Sequence, residues 1–212
     1  MRPVELSSPL LCLDQLRDDD IPRVFEYCQD PVMPQYLAAL PWPYGQGDAT
    51  DFVTGYVPAA WASDQECTWA VRGSAAPDLL GVISLTVPGA SGAPVAAAAA
   101  GVPGADAADR AGSIGFWLGA PHRGQGLMVE AERLVLDWAF GSGLCDRVHW
   151  ECVTGNLPSA RAARKAGVRY TGQEPAGGAY RDGTHPLSWK GVLRATDDRT
   201  PRAGWPAEVV GG

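Results

Sequence analysis

Basic charge is scarce in this chain. Lys and Arg total 17 against 24 Asp and Glu, a formal net charge of −7. Binding along a phosphate backbone needs a basic surface, so nucleic acid is excluded as a partner class. The acidic excess suits a cationic ligand, or simply a well-solvated surface. Histidine is limited to three residues, and the five cysteines (Cys12, Cys28, Cys67, Cys145, Cys152) include no Cys-x-x-Cys spacing. Cys145, His149 and Cys152 lie close in sequence, but on a strand His149 and Cys152 point to opposite faces, so no metal site is expected. Long apolar runs are missing as well. The densest, residues 95–102, is short and mostly alanine, so no membrane span is expected. The opening Met-Arg-Pro-Val-Glu-Leu carries no apolar signal core, and a cytoplasmic, reducing location is the simplest expectation.

What is present is a globular composition, 46% hydrophobic and 19% charged over 212 residues. A chain of this length forms one domain most often and buries roughly 70% of its unfolded surface. With 26 Gly and 18 Pro, turns must be frequent. A strand is expected over residues 9–13. The acids Asp18, Asp19 and Asp20 suit the start of a helix whose apolar face holds Ile21, Val24, Phe25 and Cys28, and which Asp30-Pro31 stops. A Pro/Gly/aromatic loop over 40–45 leads to a second helix over 48–61. Residues 67–72 and 79–87 read as a hairpin with a longer loop between them.

Of the 24 residues in 88–111, 18 are Ala, Gly or Pro, which reads as an insertion inside the domain. Beyond it the chain becomes regular: a strand at 114–118, a glycine turn, and a helix with Leu127, Ala131, Leu134, Val135 and Trp138 on one face and Glu130, Glu132, Arg133 and Asp137 off it. Another strand at 147–153 precedes a helix from Asn156 to Gly167, and late strands follow at 168–171 and 187–193. The domain is expected to span 9–194, with a loose tail over 195–212. The fold class is therefore α/β, a mixed sheet with helices on both faces.

Two features can carry chemistry. Arg123-Gly124-Gln125-Gly126 follows a strand and opens a helix, where glycines let backbone N–H groups and the helix dipole meet an anion. Val129 stands where a Rossmann fingerprint needs its third glycine, and no Gly-Lys-Ser/Thr follows. Asn156, with Pro158 and Ser159 behind it, opens the next helix. Its simplest role is an N-cap, and Arg161, Arg164 and Lys165 suit that helix's C-terminal half.

Taken together, Ser113-Ile-Gly-Phe-Trp-Leu, Arg123-Gly-Gln-Gly-Leu-Met-x-Glu-Ala and Asn156-x-x-Ser-x-Arg-x-x-x-Lys-x-Gly resemble the GCN5-related N-acetyltransferases (GNAT). They are most similar to the branch that acetylates ribosomal-protein N-termini. Cys28-Gln-Asp-Pro-Val-Met and the later Leu-Pro-Trp-Pro extend the resemblance toward the N-terminus, so that it covers about residues 9–194 apart from the insertion.

The resemblance implies a mostly antiparallel central sheet and a site for acetyl-CoA, the acyl donor. The backbone of Arg123, Gly124, Gln125, Gly126, Leu127 and Met128 would hold the pyrophosphate, and the strand ending at Leu118 would pair with the pantetheine arm. Asn156 and Ser159 would flank the thioester, and Arg161 or Lys165 could reach a phosphate. Glu151 matches a glutamate that serves as base in a related ribosomal alanine acetyltransferase, with His149, Glu66 and Glu174 as alternatives. The tyrosine that many relatives use as acid, seven residues after the asparagine, is Ala163 here, and Ser159 fits the nearer branch's substitute. Tyr170 and Tyr180 are further options. Pro121 and Ser113 depart from the family pattern at the positions of a frequent Arg/Gln and a frequent acid.

The expected activity is acetyl transfer to a primary amine by direct attack. The amine could be a protein N-terminus or a small amine such as an aminoglycoside-like antibiotic or a polyamine. A non-catalytic acyl-CoA-binding module and a nucleotide-binding dehydrogenase are the rival classes. Trp42 and Trp61 lie where relatives cover the acceptor. A homodimer is entertained, with no residue to carry it.

Overall fold

The computed structural model describes residues 1–90 and 110–211. Most of the 88–111 insertion therefore lies outside the described residues.

Among the described residues, eight strands form one sheet: β1 (Leu6–Ser7), β2 (Leu11–Asp14), β3 (Glu66–Gly73), β4 (Ala76–Thr86), β5 (Ala111–Leu118), β6 (Arg147–Val153), β7 (Arg169–Pro175) and β8 (Leu187–Arg194). Their order is β1-β2-β3-β4-β5-β6-β8-β7. Every neighbouring pair is antiparallel except β5 and β6. The helices are α1 (Ile21–Cys28), α2 (Met33–Tyr36), α3 (Gln46–Thr50), α4 (Val57–Ala62), α5 (Leu127–Gly141), α6 (Leu157–Ala166) and α7 (Ala207–Val210). A π-helical stretch, Asp51–Tyr56, joins α3 to α4, so the helix expected over 48–61 runs unbroken from 46 to 62.

Strand alternation sorts the core onto two faces. Trp69, Ile83, Ile114 and Trp150 pack with α5 and α6 on one side, and Ala70, Val82 and Trp117 pack with α1 and α3 on the other. None of the helices among the described residues is long and apolar enough to cross a membrane.

Three expectations need correction. The β3–β4 connection is tight rather than long, because Gly73 pairs with Ala76 and leaves only two residues between them. The register shifts beside Arg72 absorb Pro77, whose carbonyl accepts from the Arg72 guanidinium. The tail packs instead of hanging loose: Trp205 and Val209 are buried, Trp205 against Trp150 and Tyr170. Two aromatic surfaces offered by the sheet and one large apolar tail residue outweigh the polar composition around it.

The third concerns α5, whose buried stripe is Met128, Ala131, Glu132, Val135 and Ala139, so Glu132 sits inside it. The helix is enclosed by α6, β1, β2, β4 and β5, so burial extends past the expected face to Glu132, while Leu127, Leu134 and Trp138 stay half-buried against the same core. Neither Glu132 carboxyl oxygen has a hydrogen-bond partner among the described residues. Burial holds this carboxyl well above the ordinary carboxylate range.

The folded state therefore keeps a proton that the unfolded chain releases near pH 4.3. Stability falls as pH rises from there toward the raised folded value. Glu132→Leu is expected to raise stability at pH 7 by about 1–3 kcal/mol, the desolvation cost of an unsatisfied buried group. It should also flatten the pH slope, as read by urea unfolding at pH 5 and pH 8. A less stable variant with the same slope contradicts this.

Candidate active site

β5 and β6 pair only from Ala111 opposite Arg147 to Ile114 opposite Trp150, although β5 continues to Leu118 and β6 to Val153. Beyond Ile114 the two strands part. Among the described residues, the β6-side edge of residues 115–118 has no strand partner, an edge that an extended ligand chain can pair with.

At the mouth of this gap, Gly124 and Gly126 have φ of +75° and +79°, and nothing lies within 4 Å of where a Cβ would sit on either. That conformation favours glycine, and the empty space is room for a ligand. Among the described residues no backbone acceptor outside α5 takes the N–H groups of Gly124, Gln125 or Gly126. The first N–H groups of the 15-residue α5 converge on the same point. This is a fit for a pyrophosphate. The Arg123 side chain is not part of the cradle. Its Nε donates to the Leu118 carbonyl at 2.9 Å and its Nη1 to Asp30 at 2.7 Å, so it pins the loop to the end of β5 and to the turn after α1. Gln125 folds back onto the Pro121 carbonyl, and the Met128 side chain is buried.

Asn156 caps α6 through its Oδ1, which accepts from the Ser159 N–H at 3.3 Å, and Gly167 ends the helix at φ +98°. The Ser159 hydroxyl accepts from the Trp150 indole at 3.2 Å and stays half-buried on the α6 side of β6. The Arg161 guanidinium donates to the Glu208 carbonyl in α7 at 3.0 Å. Lys165 is exposed at the other end of the helix.

The opposite face of β6 carries His149 and Glu151. Glu151 sits opposite Lys190 on β8 and is ion-paired to its ammonium, while its other oxygen accepts from the Gly177 N–H at 3.2 Å. Lys190 and Gly177 are partners of Glu151 that the sequence motifs did not reveal. The loop between β7 and β8 carries Tyr180, an option raised by the sequence, whose hydroxyl reaches the Tyr36 carbonyl, and Arg181, which donates to the Pro34 carbonyl at 2.7 Å. That loop thus spans from β6 to α2. Burial, and then the Glu151 charge, push the Tyr180 phenol up to about 12.

The register places Glu66, Thr86, Ser113 and His149 in one row across four strands on this face. Glu66 is buried and accepts from Tyr56 and Thr68, whereas Glu174 lies exposed on the edge strand β7. Trp61 is core, edge-on to Trp69, while Trp42 remains exposed.

None of the cysteines offers a nucleophile. Burial pushes Cys28, Cys67 and Cys145 up to about 12, and Cys152 upward too, so each stays a thiol at neutral pH. Among the described residues no group of three or more His, Cys, Asp or Glu is placed to hold a metal.

Comparison with known proteins bears on this geometry. A family model described as an acetyltransferase (GNAT) domain matches residues 11–169. Over 59 residues the chain is 41% identical to the N-acetyltransferase assigned as YjcK in Bacillus subtilis (strain 168), a match covering 28% of this chain and 33% of that relative. The structure of RimL, a ribosomal L7/L12 alpha-N-protein acetyltransferase, aligns at a TM-score of 0.70 with 17% identity, covering 92% of this chain and 96% of that one. The microcin C7 self-immunity acetyltransferase MccE, solved with acetyl-CoA and AMP, aligns at 0.68 with 16% identity, covering 88% and 93%.

Proposed function

The chain belongs to the acetyltransferases of the GNAT family, enzymes that take acetyl-CoA as acyl donor, and from that premise we propose that it acetylates a primary amine by direct attack. The carrying observation is the parted β5–β6 pair with the open Gly124–Gly126 cradle at its mouth. When bound, acetyl-CoA supplies a thioester carbonyl and a thiolate leaving group. Gly124, Gln125, Gly126, Leu127 and Met128 would hold its pyrophosphate through their backbone. The free edge of β5 up to Leu118 would hold its extended arm.

Acyl transfer to an amine needs a proton removed from nitrogen and one returned to sulfur. Glu151 is the base in this reading. Its carboxylate has about four acceptor directions, and Lys190 and Gly177 use two of them. The rest can take the amine proton, directly or through water. Ser159 donates to the departing sulfur in this reading; its oxygen accepts from the Trp150 indole, and its hydroxyl also meets the Cys152 thiol. Raised thiol pKa values on Cys28, Cys67, Cys145 and Cys152 favour direct attack over an acyl-cysteine.

The similarity to RimL and MccE supports either a protein N-terminus or a small amine as acceptor. A panel of peptides, polyamines and aminoglycosides with acetyl-CoA, read by release of free CoA thiol, tests the reading. Turnover on at least one amine is expected. Acetyl-CoA binding with no turnover on any of them would make this a binding module instead.

A further inference from the structure

A cavity of about 190 Å³ opens on the α1 face of the sheet, walled by Val24, Cys28, Leu40, Tyr44, Phe52 and Trp117. Its wall is apolar and aromatic. Cys28 and Tyr44, a thiol and a phenol in that wall, are both kept neutral by burial. Among the described residues, the charges lining it are carboxylates, Asp48 and Asp51, and no Lys, Arg or His lines it. Asp48 is tied to the Gly45 N–H at 2.7 Å, while Asp51 is exposed at the rim.

Position connects this cavity to the reaction. Trp117 belongs to the stretch of β5 that has parted from β6, so the cavity wall and the edge offered to the acyl donor are the same strand. Tyr56, at the cavity's inner side, donates to the buried Glu66 at 3.0 Å on that sheet face. Size narrows the occupant further. An apolar cavity of roughly 150 Å³ accommodates benzene, so this one suits one ring or one branched aliphatic group.

We propose that the cavity receives the side chain beside the acceptor's reacting amine, and that this side chain is aromatic or branched aliphatic and carries no negative charge. The inference rests on the acetyl-transfer reading above. Burial of the apolar group supplies the attraction, and Asp48 and Asp51 repel acidic competitors.

The test uses the whole protein with acetyl-CoA and four peptides that differ only in their first residue: Phe, Leu, Ser or Asp. The Phe- and Leu-led peptides should exceed the others in kcat/KM by at least about tenfold, the low end of what one hydrophobic group contributes. Ala39→Trp, which fills the cavity from its wall, should erase that preference. An unaltered acetyl-CoA stabilisation shows that the variant is folded. A preference for the Ser- or Asp-led peptide, or a Phe/Ser ratio untouched in Ala39→Trp, overturns the proposal.

Turnover of no peptide would rule out peptide N-termini as acceptors without touching acetyl transfer to small amines, and the cavity is then judged by binding alone. Phenethylamine should raise the melting temperature more than ethanolamine at equal concentration, and equal shifts overturn the cavity's assignment.

Discussion

Replacing Arg72 with Met is expected to lower the unfolding free energy by about 3–5 kcal/mol, the usual cost of removing one partner from a buried ionic cluster. The Arg72 side chain is 3% exposed. Its Nε donates to Asp14 at 2.6 Å, its two Nη atoms donate to Asp20 at 2.8 and 2.7 Å, and it also reaches the Pro77 and Gln15 carbonyls. One guanidinium therefore holds β2, the turn before α1 and the β3–β4 hairpin together. Removing it leaves two carboxylates, both nearly buried, without their main counter-charge. At roughly 2–4 °C per kcal/mol for a chain of this size, the melting temperature should fall by about 6–20 °C. Arg72→Lys keeps the charge but not the fork and should fall between the two. A loss below about 1 kcal/mol for Arg72→Met would mean that the cluster only balances its own desolvation.

Glu151→Gln is expected to reduce kcat by roughly 10²–10⁴-fold, the range over which a positioned base acts. Gln is nearly isosteric, and its carbonyl can still accept from Lys190 or from Gly177, so the local fold should persist. Acetyl-CoA affinity should not change, because the cradle at residues 124–128 is built from other elements. A variant with wild-type kcat removes Glu151 as the base. A variant that instead loses acetyl-CoA affinity makes its role one of shaping the site.

The second half of the chain was readable because local rules agree there. The strand Arg147–Val153, the Asn156 cap and the Gly167 stop follow from residue alternation, an acceptor side chain at a helix start and a glycine at a left-handed position. The Gly124–Gly126 turn was legible for the same reason.

What sequence could not give were contacts made across long separations. The Arg123 backbone reads as part of the anion turn, but nothing local names the partner of its guanidinium, Asp30, 93 residues away. Arg161 reads as a phosphate contact, but α7, in a segment expected to be loose, supplies its acceptor. Lys190 has no motif around it and acquires its place only when β8 pairs with β6. Glu132 reads as a solvent-side residue because a charge normally belongs there, and the packing of α5 on several neighbours overrides that preference.

The central claim is that the parted strands and the glycine cradle hold acetyl-CoA. The most direct measurement is the melting temperature with acetyl-CoA, CoA and NAD at matched concentration. At about 100 times its dissociation constant a ligand contributes ~2.7 kcal/mol, which is several degrees here. The account predicts that shift with acetyl-CoA and CoA and none with NAD. No shift with either CoA species, or an equal shift with NAD, would contradict it.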